Sequence, residues 1–375
     1  MGLAHAHEER PATLDMVAKQ ARVSPSTVSR ILNGTATVSE AKKKAVESAI
    51  AALNFRPNPV AQGLSRGKSR TIGVITQAID SPFYGEGLKG IESTLVDAGY
   101  APLFVSGHWR PSDEQACLAQ LMARRVDGVI VLTGSMPDKV LAAQAKSLPL
   151  VVTGRTMNAA GLHAMAFDNF EGARLATRHL IELGHQKIAC ITGPSDHSDA
   201  VDRLRGCQAE MKAAGLSLPK ELIVEGDFLE SGGVLAVQKL LANRTTFTAI
   251  LALNDQSAYG AALALYRSGL RVPDDISLVG FDDLRSSSFT IPPLTTVRHA
   301  IYEIGQQAAL AVVDLVEGRK PTQRVPAPEL VVREYAQVTA LKRNHKNGLS
   351  CPTLQTHNVE SAFNVGRGWR RPCMG

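Results

Sequence analysis

Thr13-Leu14-Asp15-Met16-Val17-Ala18-Lys19-Gln20-Ala21-Arg22-Val23-Ser24-Pro25-Ser26-Thr27-Val28-Ser29-Arg30-Ile31-Leu32-Asn33-Gly34 decides how the head of this chain folds. Thr13 offers a capping hydroxyl, and Leu14, Val17, Ala18 and Ala21 recur at i, i+3, i+4 and i+7, so one apolar stripe runs down a first helix. Ser24 caps a second helix, with Pro25 at its first position, where the missing N–H costs nothing. Asn33-Gly34 ends it. Ser39 caps a third, in which Ala45, Ile50, Ala52 and Leu53 supply apolar contacts while Lys42, Lys43 and Lys44 read as a solvated face. The expectation is a small all-α bundle with a tight turn between its first two helices. Its second helix exposes Ser24, Ser26, Thr27, Ser29 and Arg30. Small hydroxyls reach phosphates or base edges and a guanidinium pairs bidentately with guanine, which suits one helix crossing DNA and the next lying in the major groove.

Working outward, Asn54-Phe55-Arg56-Pro57-Asn58-Pro59 cannot continue a helix through two prolines. Asn58 can cap a short helix, Val60–Ser65, that contains Gly63 and is too short to be stable alone; it orders only when something holds it. From Thr71 apolar runs alternate with helical stretches. Strands are expected at Thr71–Ile75, Pro102–Val105, Gly128–Leu132, Leu150–Thr153, Lys187–Thr192, Leu222–Glu225, Ala249–Leu253 and Ser277–Phe281, with helices such as Glu86–Ala98 and Asn169–Leu183 between them. Continuous apolar strands separated by helices imply parallel sheets buried on both faces. The pattern occurs twice, dividing near Asp168, so two similar α/β lobes are expected. Lobe 1 takes about 71–167 and 299–327, lobe 2 about 168–298 and 328–340. A last helix, Tyr302–Glu317, and a last strand, Leu330–Arg333, cross back between them. Ligands of such sheets lie at the carboxyl ends of the strands, here in the cleft between lobes.

Charge is distributed unevenly: residues 1–70 carry a net +6, residues 71–340 a net −5 and residues 341–375 a net +5. A basic head on a mildly acidic body points to a polyanion as partner of the head. The tail, 341–375, has few large apolar residues and no periodicity and reads as disordered. Five cysteines, without a CxxC pair, give neither a disulfide framework nor a metal site and suit a reduced, cytoplasmic setting. No apolar stretch reaches the ~18–20 residues that cross a bilayer, and His5, His7, Glu8 and Glu9 stand where a secretion signal needs an apolar run. Gly85-Glu86-Gly87-Leu88-Lys89-Gly90 matches G-x-G-x-x-G but begins well after the first strand, so Gly87 and Gly90 fall inside a helix and permit close packing rather than holding a dinucleotide. HExxH, G-x-S-x-G and Walker loops do not occur. No catalytic residue, metal or cofactor is therefore expected, and the chain does not read as an enzyme.

The head quoted above, followed by Leu53-Asn54-Phe55-Arg56-Pro57-Asn58 and Ala61-Gln62-Gly63-Leu64, resembles the headpiece and hinge of the lac-repressor (LacI/GalR) family. The resemblance continues through Ile72-Gly73-Val74, Val126-Asp127-Gly128, Asp168-Asn169, Leu183-Gly184-His185, Asn254-Asp255 and Gly280-Phe281-Asp282-Asp283 to Leu294-Thr295-Thr296-Val297. It covers about residues 13–335. It implies a helix-turn-helix headpiece over 12–57, a hinge over 58–70 and an effector domain over 71–340 like the periplasmic sugar-binding proteins. It further implies a dimeric repressor on a pseudo-palindromic operator, controlled by a small molecule, a sugar first, with purine-like or phosphorylated ligands behind it. Carried over by position, Thr13, Ser24, Pro25, Ser26, Thr27, Ser29, Arg30, Asn33 and Ser39 face DNA from the head, and Asn58, Ala61 and Leu64 from the hinge. Leu64 matches the apolar wedge between central base steps. Pro25 and Ser26 depart from the long polar side chains of some members, so the operator sequence does not transfer. In the cleft the similar positions are Phe83, Tyr84, Arg203, Phe228, Asn254 and Asp282, with His197, Asp199 and Asp168 beside them. Aromatic faces for C–H surfaces, with Arg, Asn and Asp for adjacent hydroxyls, are what a polyol site requires. The tail lacks leucine heptads, which leaves a homodimer. The competing reading is a cytoplasmic carbohydrate-binding or sugar-modifying protein whose basic head is incidental; it predicts salt-insensitive behaviour, and activity that survives removal of residues 1–70.

Overall fold

A computed structural model of the chain describes residues 12–33, 37–56 and 68–339. The expected hinge helix with Asn58, Ala61 and Leu64, and the tail 341–375, lie outside the described residues.

The head contains α1 (Leu14–Gln20), α2 (Pro25–Leu32) and α3 (Glu40–Ala52). Thr13 Oγ1 accepts from the Met16 N–H at 3.4 Å, and Ser24 Oγ accepts from the Thr27 N–H at 3.2 Å, so both hydroxyls serve as helix caps. Ser39 takes the cap position of α3, but its hydroxyl makes no capping bond. Between α1 and α2 the chain reverses through Arg22, whose φ is 53°, and the Val23 N–H reaches the Ala18 carbonyl at 3.0 Å. Val17, Ala18, Val28, Val46 and Ala49 form the core of the bundle, while Lys42, Lys43 and Lys44 are exposed.

Lobe 1 is built from β1 (Thr71–Thr76), α4 (Pro82–Asp97), β2 (Ala101–Ser106), α5 (Pro111–Ala123), β3 (Gly128–Val131), α6 (Asp138–Gln144), β4 (Leu150–Thr153) and β5 (Leu162–Met165). Its strands form a parallel sheet in the order β2-β1-β3-β4-β5. Lobe 2 follows with α7 (Asn169–Glu182), β6 (Ile188–Thr192), α8 (Ser198–Ala213), β7 (Ile223–Glu225), α9 (Glu230–Ala242), β8 (Ala249–Ala252), α10 (Asp255–Arg267), β9 (Ser277–Asp282) and β10 (Thr295–Arg298). The chain then returns to lobe 1 as α11 (Ile301–Val316) and ends in lobe 2 as β11 (Glu329–Val331), antiparallel to β10. The second sheet has the order β11-β10-β9-β8-β6-β7. Three crossings thus join the lobes, and both sheets present the carboxyl ends of their parallel strands to the cleft.

Two strands depart from the sequence expectation. β5 is a half-buried edge strand without a continuous apolar run, and β10 opens with two threonines. Those threonines are fully buried because their hydroxyls are paired: Thr296 Oγ1 donates to Asp255 Oδ1 at 2.6 Å, and Thr295 Oγ1 accepts from the Arg333 N–H at 2.9 Å. α4 starts at Pro82 rather than Glu86, with Ser81 in the cap position and proline where it is best tolerated. Its glycines do pack. A Cβ on Gly90 would stand 2.1 Å from the Tyr302 carbonyl oxygen, so α4 and α11 meet backbone to backbone.

Candidate functional site

The cleft is organised around Arg203, four residues after Asp199 on the first turns of α8 and 3% exposed. Its Nε donates to Asn169 Oδ1 at 2.7 Å, its Nη1 to the Leu253 carbonyl at 2.5 Å and to Asp282 Oδ1 at 3.3 Å, and its Nη2 to His299 Nδ1 at 3.2 Å. The guanidinium lies 3.8 Å from the centre of the Phe281 ring. One side chain therefore joins the start of α7, the ends of β8 and β9, and the crossing from β10 to α11. Burial pushes Asp282 up to about 7 despite the neighbouring Arg203. Burial holds His299 down at about 3, so its ring is neutral and its Nδ1 accepts from the guanidinium N–H. The ring also stacks on Phe167, 3.9 Å between centres and 18° between planes.

Aromatic side chains from both lobes surround this network. Phe83 and Tyr84, in the first turn of α4, meet edge to face at 5.3 Å, and Phe83 lies 5.0 Å from His299. The Tyr84 hydroxyl pairs with Thr133 Oγ1 at 3.0 Å, and burial raises its pKa far above the ordinary phenol range, so it remains protonated. Trp109 from lobe 1 lies 4.3 Å from His197 of lobe 2, which in turn lies 5.2 Å from Phe228. Phe228 has a φ of 65° and its ring fills the place where a side chain on Gly193 would stand, 2.1 Å from the ring carbon. Asp199, His299, Asn169 and Thr133 help to line a small interlobe cavity.

Among the expected cleft residues, Arg203, Asp282, Phe83, Tyr84, His197, Asp199 and Phe228 are brought together. Asn254 is used differently: its Oδ1 accepts from the Ser257 N–H at 3.1 Å and its Nδ2 donates to the Phe228 carbonyl at 2.8 Å, so it fixes the loop that carries Phe228. Asp168 is exposed and caps α7 by accepting from the Glu171 N–H at 2.9 Å; its neighbour Asn169 is the one that faces Arg203. Asp255, in the Asn254-Asp255 motif, is fully buried and ties the segment after β9 to β10, accepting from the Leu284 N–H, Ser287 Oγ and Thr296 Oγ1 at 2.8, 2.5 and 2.6 Å. Trp109, Thr133, Phe167, Asn169 and His299 were not foreseen. Asn169 lay inside a quoted motif, and His299 follows Leu294-Thr295-Thr296-Val297 by two residues.

On the head, Thr13, Ser24, Pro25, Ser26, Arg30 and Ser39 are exposed, with Thr27, Ser29 and Asn33 half-buried. The hydroxyl of Ser24 links Ser26 Oγ at 2.9 Å and Thr27 Oγ1 at 2.8 Å, Arg30 Nε leans back to the Ser26 carbonyl at 3.4 Å, and Asn33 Nδ2 reaches Ser29 Oγ at 3.5 Å. α2 thus presents a polar, cationic surface on a rigid cap.

Two family descriptions match successive parts of the chain: "bacterial regulatory proteins, lacI family" over residues 13–58, and "periplasmic binding proteins and sugar binding domain of LacI family" over residues 69–338. The chain belongs to the LacI family. This LacI-family member is a DNA-binding transcriptional regulator. It is 35% identical to the transcriptional regulator GalR of Escherichia coli K12 over 89% of this chain and 98% of the relative. It is 37% identical to the ribose operon repressor of the same organism over 79% of this chain and 91% of the relative. Among solved structures, the lac repressor dimer bound to operator and the anti-inducer ONPF matches with a TM-score of 0.80 and 31% identity, over 87% of this chain and 99% of that one. The complex of the regulator CelR with cellobiose matches with a TM-score of 0.65 and 32% identity, over 87% and 100%. Among the described residues of this LacI-family regulator, no helix is long and apolar enough to cross a membrane.

Proposed function

We propose that this LacI-family regulator is a homodimeric cytoplasmic repressor of a pseudo-palindromic operator, switched by a sugar held between its two lobes. The observation that carries the reading is the Arg203 network. A buried guanidinium holds Asp282, His299 and Asn169 at one end of a cleft walled by Phe83, Tyr84, Trp109 and Phe228, an arrangement of fixed polar groups and ring faces that suits a polyol. The likeness to the ribose operon repressor and to the complex of CelR with cellobiose supports a sugar. Residues 12–57 serve as the DNA-binding headpiece, 58–70 as hinge and 71–340 as effector domain. Thr13, Ser24, Pro25, Ser26, Thr27, Ser29, Arg30, Asn33 and Ser39 contact the operator from the headpiece, and Asn58, Ala61 and Leu64 from the hinge. Arg203, Asp282, Asp199, His197, Phe83, Tyr84 and Phe228 contact the effector, while Asn254 and Asp168 shape the loops around it. The role is regulatory binding rather than catalysis.

Lobe 2 also offers a dimer face. Leu263 and Tyr266 on α10 are exposed, and Phe289 and Ile291 extend from the segment after β9; Tyr259 Oη and Ser287 Oγ, 2.7 Å apart, hold that segment against α10. Such an apolar patch on a charged protein marks an association surface. Effector closure repositions lobe 1 and changes the cost of ordering the hinge on DNA, for which a coupling of about 1–3 kcal/mol suffices. The test is an operator gel shift with D-ribose, D-galactose, D-glucose and cellobiose, each first tested for binding by calorimetry. A sugar that binds should change operator affinity at least about fivefold; operator affinity indifferent to every bound sugar overturns the reading.

A further inference from the structure

We propose that Trp109 and His197 form a clasp that shuts the cleft over a compact, uncharged ligand, with Trp109 setting the largest ligand the cleft admits. The inference rests on the effector reading above and adds the size and charge of what is bound. Trp109 comes from the loop between β2 and α5, where His108 and Trp109 both take left-handed backbone conformations, with φ of 54° and 58°. Two consecutive side-chain-bearing residues in that region are costly, and persist because the surroundings over-determine them. Here the surroundings are Gln77, just past the end of β1: its Oε1 accepts from the Trp109 N–H at 2.8 Å, while its Nε2 donates to the Thr133 carbonyl at 3.2 Å. Gln77 is itself buried. The loop is thereby pinned to the floor of lobe 1, and the indole projects across the cleft.

On the far side the indole meets His197, the cap residue of α8, whose Nδ1 accepts from the Asp199 N–H at 3.2 Å. That bond fixes the imidazole plane. Trp109 also lies 6.2 Å from Tyr84, so Tyr84, Trp109, His197 and Phe228 make one continuous row of rings that starts in lobe 1 and ends in lobe 2. The lobes meet here through rings. A row of rings already in contact across the mouth encloses only what fits beneath it, so a second sugar ring would have to displace the indole. Charge narrows the class further. Arg203 already donates to Asn169, Leu253, Asp282 and His299, and Asp199 and Asp282 stand alongside, so a phosphorylated ligand would meet carboxyl groups and a cation whose donors are engaged.

The clasp is tested on the full chain carrying W369F, which leaves Trp109 as the single tryptophan. The probes are D-ribose, D-galactose, cellobiose and ribose 5-phosphate, with binding measured by calorimetry and rates by stopped-flow tryptophan emission. Saturation with the monosaccharide that binds should shift Trp109 emission. W109A, in unlabelled calorimetry and competition kinetics, should weaken that sugar about tenfold through a faster off-rate, in keeping with the loss of an aromatic pair, and should bind cellobiose at least as well as the monosaccharide. W109F should stay within about threefold of the parent. H197A should reproduce W109A, and the double variant should add nothing to either, which keeps the test valid should one single variant fold poorly. Unchanged emission at saturation, or an unchanged off-rate in W109A, overturns the clasp while leaving the effector reading intact. Ribose 5-phosphate binding more tightly than ribose overturns the uncharged class. Binding of none of the four probes to the parent chain overturns the effector reading, and the clasp falls with it.

Discussion

Arg203 carries two consequences that separate packing from ligand chemistry. Arg203→Ala leaves Asp282 buried without its cation, a loss of about 3–5 kcal/mol that a urea titration of the full chain should register. Asp282 itself gives a pH signature. Its carboxyl titrates at about 7, and only the ionised form accepts a sugar hydroxyl as a charge-assisted bond. Affinity for a neutral sugar should therefore tighten roughly tenfold between pH 6 and 8, and Asp282→Asn should flatten the profile in calorimetry. Stability of the unliganded protein runs the other way. The folded pKa lies above the unfolded value near ~3.9, so this group's contribution is complete below that value and is lost as pH rises through about 7. His299 stays neutral throughout that window and does not obscure either trend. At this scale the sequence was legible where a residue type is chemically singular: Arg203 and Asp282 stood out as charges beside apolar strands. Trp109 and His299 did not, because their surroundings are created by lobes that meet only in space. Asp168 and Asn254 misled for another reason, since an Asx residue at a strand end looks alike whether it holds a ligand or caps the next helix.

Among the elements, α4 and α11 are packed backbone to backbone. Gly90→Ala forces a carbon against the Tyr302 carbonyl, and Gly305→Ala does the same to that of Gly87, 2.3 Å away. Neither obstacle is a movable side chain, so each should cost at least ~1–3 kcal/mol and lower the melting temperature, whereas Gly99→Ala, with nothing nearby but a φ of 75°, tests backbone strain alone. The capped helices α1 and α2 and the apolar strands β1, β3, β4, β6, β8 and β9 were readable because local rules and tertiary burial agree there. β10 was not: Thr295-Thr296-Val297-Arg298 reads as a surface segment until Asp255 and Arg333 supply the partners that make burying two hydroxyls tolerable. β5 was overlooked because an edge strand needs only one wet side.

At the scale of the whole molecule, association and specificity are joined. Ile291 is 95% exposed and Tyr266 79%, both in lobe 2. Replacing both, Ile291→Glu with Tyr266→Glu, should give a monomer in sedimentation velocity that keeps sugar binding within about threefold yet loses most operator affinity, since a palindrome needs two heads. The separation of basic ends from an acidic body announced this division of labour in composition alone; the location of the association surface did not show, because scattered apolar residues on a surface acquire meaning only when they are neighbours.

The three crossings have a further consequence for how the protein is made. Because α11 belongs to lobe 1 yet follows all but the last strand of lobe 2, a chain emerging from the ribosome exposes the glycine-lined face of α4 until residues beyond 301 have been translated. Lobe 1, begun first, waits for its last helix until nearly all of lobe 2 has been made, so nascent chains stalled before that point should require chaperone protection that the completed polypeptide does not.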